Sequence, residues 1–185
     1  GGTVGDIESL PFLEALRQFR LDIGPENCCF IHVTLVPYIE AANELKTKPT
    51  QHSVRALRDI GIQPNIIVCR TGKNKLEKEQ RQKVALFCDV PENAIINAQD
   101  ISPIYAIPLN FKKQNLDVTV LNILGLEQRE GDMSQWTNMV NRLVSATEEV
   151  RIAAIGKYTG HGDAYKSINE AFVHAGIANN CKVKY

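Results

Sequence analysis

The chain reads as an α/β protein: a three-layer domain on a mostly parallel sheet, followed by the beginning of a second α/β unit. Three observations predict this. Short unbroken apolar runs recur along the chain, as expected of strands covered on both faces. Amphipathic stretches of helical period alternate with them. A polar stretch at 124–133, holding Gly125 and Gly131, separates a longer first set of alternations from a shorter second one.

In order, GGTVGDIES (1–9) is a tight glycine-rich turn in which Asp6 or Ser9 can cap the next helix. PFLEALRQFR (11–20) places Phe12, Leu13, Leu16 and Phe19 on one helical face, with Pro11 tolerated in the first turn. CCFIHVTLV (28–36) is the first strand and PYIEAANEL the loop after it. QHSVRALRDI (51–60) is a helix stopped by Gly61. NIIVC (65–69) is a strand, EKEQRQKVALFC (77–88) a helix that is polar first and apolar later, and AII (94–96) a third strand. SPIYAIPLNFKKQ continues as helix from about residue 101 to the break. Beyond it, SQWTNMVNRLVSATEE is a helix N-capped by Ser134, RIAAIG (151–156) a strand, DAYKSINEAFVHAG (163–176) a helix, and the last residues a strand.

With 185 residues, 44% hydrophobic and 23% charged, the chain can bury a sizeable core. Its 21 lysines and arginines balance 21 aspartates and glutamates, so no global field draws it to nucleic acid or an anionic membrane. No apolar run reaches the roughly 18 residues of a membrane span, and no signal-peptide pattern opens the chain; a cytoplasmic protein is expected. Five cysteines (28, 29, 69, 88 and 181), mostly in apolar runs, read as reduced core residues. Neither they nor the four scattered histidines have metal-ligand spacing. The opening GGTVGD without an initiator methionine, and the ending CKVKY in what reads as mid-strand, lead to the expectation of a fragment.

The chemistry concentrates in KTKPTQHS (46–53), which opens the 51–60 helix. Unpaired N–H groups and the positive dipole end make a helix N-terminus an anion site. Lys46 and Lys48 add charge, Thr47 and Thr50 hydroxyls, and Pro49 stiffens the approach; phosphate is the natural guest. On these residues alone, a solvated basic loop with Thr50 as helix cap is the competing reading. Asp6 and Glu8 would repel phosphates and suit sugar hydroxyls or an exocyclic amine. Lys83 alone reads as a surface lysine, and Phe87 as core rather than a base-stacking platform.

GGTVGDIESLPFLEALRQ, HVTLVPY, KTKPTQHSVRAL, GIQPNIIVCR, KVALFCDVP and IGKYTGHGDAYKSINEA, in this order, resemble the CTP synthase family. The resemblance covers most of 1–109 and returns over 151–175, and KTKPTQ with GGTVGDIES is a specific combination. It implies the back half of a P-loop NTPase-like synthetase (amidoligase) domain over 1–125, an interdomain linker and helix over 126–149, and the truncated start of a glutamine amidotransferase domain over 150–185. The implied enzyme is a ligase making CTP from UTP, ATP and glutamine: ATP phosphorylates the uracil O4, and ammonia from the glutaminase domain displaces the phosphate.

By resemblance, Lys46, Thr47, Lys48, Pro49, Thr50, Gln51 and Lys83 bind UTP and the inhibitory product CTP. Asp6, Ile7 and Glu8 contact CTP, and Gln99, Asp100 and Ile101 contact ATP. The Walker-type loop and the ligands of the expected Mg2+ belong upstream of GGTVGD, and the glutaminase Cys, His and Glu downstream of KVKY. No catalytic or metal-binding residue is therefore expected within the chain, nor turnover by it alone. The resemblance also implies a homotetramer able to form filaments, with the 11–20 face as a candidate contact that core packing explains equally well. Two other readings compete: a non-catalytic nucleotide-binding or regulatory module of the same family, and an unrelated dinucleotide binder, which the lack of GxGxxG after a strand disfavours.

Overall fold

The structure, a computed structural model, describes residues 3–185; Gly1 and Gly2 of the glycine-rich turn lie outside the described residues. Chain contacts divide it into two units, Gly1–Ile101 with Ile107–Glu130, and Ser102–Ala106 with Gly131–Tyr185.

The first unit opens with α1 (Leu10–Ile23), which carries Pro11 in its first turn as expected. Ser9 occupies the N-cap position without capping: its one hydroxyl proton faces the carbonyls of Asp6 at 2.8 Å and Thr3 at 3.0 Å, while the Asp6 carboxylate accepts the Thr3 N–H at 2.8 Å. The turn thus closes on itself, and neither side chain caps α1. β1 (Ile31–Leu35) leads into a small hairpin of β2 (Tyr38–Ile39) and β3 (Glu44–Leu45). α2 (Lys48–Asp59) follows and stops at Gly61, whose φ of 93° suits only glycine without strain. β4 (Ile66–Arg70), α3 (Lys78–Cys88), β5 (Ile95–Ala98), α4 (Ile107–Lys113) and α5 (Leu116–Ile123) complete the unit.

β1, β4 and β5 form a parallel sheet with β4 in the centre, in the registers Ile31↔Ile66 and Ile67↔Ile95. Residues of alternating parity face opposite sides of it. Ile67, Cys69 and Ile95 join Val54 of α2 and Val84 of α3 in one core. Ile66, Val68 and Ile96 join Phe111 of α4 and Leu116, Val120 and Ile123 of α5 in another. These are the three expected layers. The second helical layer covers β4 and β5 only: Ile31, Val33 and Leu35 of β1 are 45–59% exposed. α1 likewise buries no residue, so packing within the described residues does not account for its apolar face.

The helix expected from residue 101 is broken. A short 3-10 turn, Ile104–Ala106, precedes α4, and Asn115 takes the left-handed conformation (φ 57°) between α4 and α5. The Gln114 amide, at the break, accepts the Asn97 N–H and donates to the Asn97 carbonyl, both at 2.8 Å, completing the free edge of β5 as a strand would.

The second unit holds α6 (Ser134–Ser145), β6 (Glu148–Arg151), α7 (Lys166–Asn179) and β7 (Cys181–Lys184). α6, within the stretch read as linker and helix, packs against α7. Ser134 is the first helical residue rather than the cap. Asp132 supplies the cap, accepting the Ser134 N–H and hydroxyl at 2.8 and 3.0 Å. The strand expected over 151–156 lies at Glu148–Arg151, paired in parallel with β7. The pairing reaches only to the Ile152 N–H on the Lys184 carbonyl; the apolar run beyond has no ladder partner among the described residues, and Ile155 is exposed. Tyr105 donates to Glu170 at 2.5 Å and lies 2.7 Å from His174, tying the 102–106 segment to α7.

Candidate functional site

In a parallel sheet the helix after each strand starts at the strand's carboxyl end, and ligands bind in the crevice there. α2, following β1 through the hairpin, and α3, following β4, begin at this edge. Between their N-termini lies a cavity of about 440 Å³ lined by Glu44, Leu45, Lys46, Thr47, Lys48, Glu79, Gln80 and Lys83. The structure therefore brings Lys83 to the KTK loop, from the next helix of the chain.

The loop's backbone is pinned, while its lysine side chains stay partly exposed at the cavity. The Lys46 N–H donates to the Pro37 carbonyl at 2.9 Å, and buried Leu45 anchors the hairpin in the core. Thr47, 4% exposed, precedes the first residue of α2 and accepts from the Gln51 amide at 3.1 Å. Pro49 stands in the first turn, where its missing N–H costs nothing. Thr50 is fully buried, so it neither caps α2 nor lines the cavity. Its hydroxyl donates to the Leu35 carbonyl at 3.3 Å and accepts from Thr34 at 3.2 Å, seating the helix start on β1.

At α3, Glu77 and Gln80 make a reciprocal capping box that sets the helix start beside the cavity. Glu79 and Gln80 lie four and three residues before Lys83 and so share its face; that spacing was the signal by which they could have been found. Glu44 lies within PYIEAANEL, where no local sequence pattern marks it as part of a site. Its carboxylate pairs with Lys46, and that hydrogen bond, then the Lys46 charge, with a smaller contribution from Lys83, hold it below the ordinary carboxylate range. Phe87 is 56% exposed rather than core.

The other expected positions lie outside the cavity lining. Asp6, Ile7 and Glu8 are exposed on the opening turn, whose Gly5 lies against Ala56 of α2. Gln99, Asp100 and Ile101 follow β5 at the same sheet edge as the cavity. The Asp100 N–H donates to the Gly72 carbonyl at 2.7 Å and the Gln99 amide to that of Lys73 at 3.2 Å, so the segment closes over the loop after β4.

All five cysteines are free thiols. Burial pushes Cys69 up to about 12 and Cys88 up to about 11, which makes both inert as nucleophiles. Among the described residues no three His, Cys, Asp or Glu side chains come together to hold a metal ion, and no helix is long and apolar enough to cross a membrane.

Residues 1–126 match the family described as CTP synthase N-terminus. The chain belongs to the CTP synthase family. It is 55% identical over 184 residues to the CTP synthase of Rhizorhabdus wittichii, covering 99% of this chain and 34% of that protein. It is 55% identical over 183 residues to the CTP synthase of Methanocaldococcus jannaschii, with the same coverages. The CTP synthase of Desulfitobacterium hafniense is 55% identical over 184 residues, 100% of this chain and 34% of its own length. The chain thus spans about a third of the length of these relatives.

Proposed function

We propose that the cavity binds the triphosphate of UTP, and of CTP as a feedback ligand, within an enzyme that aminates UTP to CTP using ATP and ammonia from glutamine. The observation that carries this reading is the convergence of Lys46, Lys48 and Lys83 on one cavity beside the start of α2, at the carboxyl edge of a parallel sheet. Thr47 and Gln51 order the loop, Pro49 stiffens it, and Thr50 serves by seating it on β1. Asp6, Ile7 and Glu8 suit the CTP end remote from the phosphates, where carboxylates accept hydroxyl or amine protons. Gln99, Asp100 and Ile101, on the loop after the edge strand β5, are the proposed ATP contacts.

In this reading residues 1–125 are the back half of the synthetase domain, 126–149 its linker and helix, and 150–185 the start of the glutaminase domain. The expected Mg2+ is assigned, in the same reading, to ligands in other parts of the intact enzyme. The intact protein is taken as a cytoplasmic homotetramer, able to form filaments, in which α1 is a candidate contact. The test is Lys46→Ala and Lys83→Ala in the intact protein, with calorimetric titration of UTP, CTP and uridine. Each substitution is expected to weaken UTP and CTP together by about tenfold, the cost of one charge-assisted contact, and to leave uridine unchanged. Unchanged UTP and CTP binding in both variants overturns the reading.

A further inference from the structure

We propose that Glu44 is a built-in counter-ion that competes with phosphate for Lys46 and sets the pocket's affinity below what its three lysines alone would give. The proposal rests on the triphosphate reading of the cavity. Glu44 and Lys46 are two residues apart at the end of β3, and their side chains pair within the lining of the same cavity that Lys48 and Lys83 line. Both are about half exposed, at 50% and 44%, so neither is committed to the core. The backbone beneath them is held: Leu45 is buried between them, and the Lys46 N–H is bonded to Pro37. Competition is therefore between side chains, with no rearrangement of the hairpin needed for exchange.

A site evolved only for tightest anion capture would carry no carboxylate here, since like charges in one pocket repel. A carboxylate tethered two residues away acts on Lys46 at an effective concentration on the order of millimolar. A triphosphate displaces it by engaging Lys46, Lys48 and Lys83 together, and on release Glu44 reoccupies Lys46. The carboxylate thus weakens the bound state twice, through the ion pair that must break and through the charge that remains nearby.

The experiment compares the intact protein with its Glu44→Gln and Glu44→Ala variants, titrating UTP, inorganic tripolyphosphate and uridine at low and high salt, with Lys46→Ala alongside. Both Glu44 variants should bind UTP and tripolyphosphate about two- to tenfold more tightly, the range of an exposed ion pair plus local repulsion. The gain should shrink at high salt, and uridine should not respond. Unchanged or weaker tripolyphosphate binding in both variants overturns the proposal and makes Glu44 a positioning residue for Lys46. If instead Lys46→Ala leaves UTP and tripolyphosphate binding intact, the triphosphate reading itself fails; a loss there without a gain at Glu44 sinks the counter-ion alone.

Discussion

Thr47 and Thr50 stand three residues apart in one motif and yet differ in what they touch. Thr47 lines the cavity; Thr50 turns into the sheet, because a helix laid on a strand must bury one face and Thr50 is on it with Val54 and Leu57. The same interface holds His32 of β1, whose Nε2 lies 2.9 Å from the Ser53 hydroxyl of α2. Burial lowers the pKa of His32 below its ordinary 6.5, so the unfolded chain takes up this proton before the folded one. Its contribution is intact above pH 6.5 and is lost as the pH falls from there through the folded value. Urea denaturation at pH 7.5 and at lower pH should show a steeper acid loss for the wild type than for His32→Gln. Equal losses would mean that the His32 proton is not linked to folding.

At the scale of elements, the loops that follow the strands are held by side chains rather than by further strands. Asn97 of β5 is the clearest case. Its side-chain carbonyl accepts the buried Leu76 N–H at 2.7 Å and the Thr71 hydroxyl at 3.4 Å, while its backbone pairs with Gln114. It thereby fixes the loop from β4 to α3, and with it the helix start that presents Lys83. Asn97→Ala strands the Leu76 N–H in the core at a cost of about 1–3 kcal/mol. A shift of the urea midpoint worth less than about 0.5 kcal/mol would show that another acceptor reaches that N–H.

At the scale of the molecule, the chain passes between the two units on either side of Ser102–Ala106 and again within the 124–133 stretch, which has neither helix nor strand. Arg129 there is 85% exposed, and its pairing with Glu127 is the exposed kind that contributes little. Limited trypsin treatment of the intact protein should cut after Arg129 before it cuts within α2, α3 or α7, as mass spectrometry of the early fragments would show. Early cleavage inside those helices instead would mean that they open more readily than the connecting stretch. The uncovered odd-numbered face of β1 belongs to this scale too. A parallel strand is normally buried on both sides, and here one helical layer stops before reaching it.

Much of the first unit was legible because its signals are local: unbroken apolar runs for β1, β4 and β5, one apolar face for α1, and Gly61 as a stop for α2. The β2–β3 hairpin within PYIEAANEL, read as a loop, and the start of α2 at Lys48 rather than residue 51 were not. The family was legible from KTKPTQ and GGTVGDIES, short motifs whose residue order is itself the signal. The break at Asn115, the shortened 151–156 strand and the Asp132 cap were not, since each depends on which partner a backbone group finds in space. Which side of α2 faces the sheet, and hence that Thr50 is buried while Lys48 lines the cavity, follows from packing against β1. So does the arrival of Lys83 and Glu79 beside that loop. A chain's order determines the residues available to a site, but the pocket exists only where parallel strands align two helix N-termini at one edge.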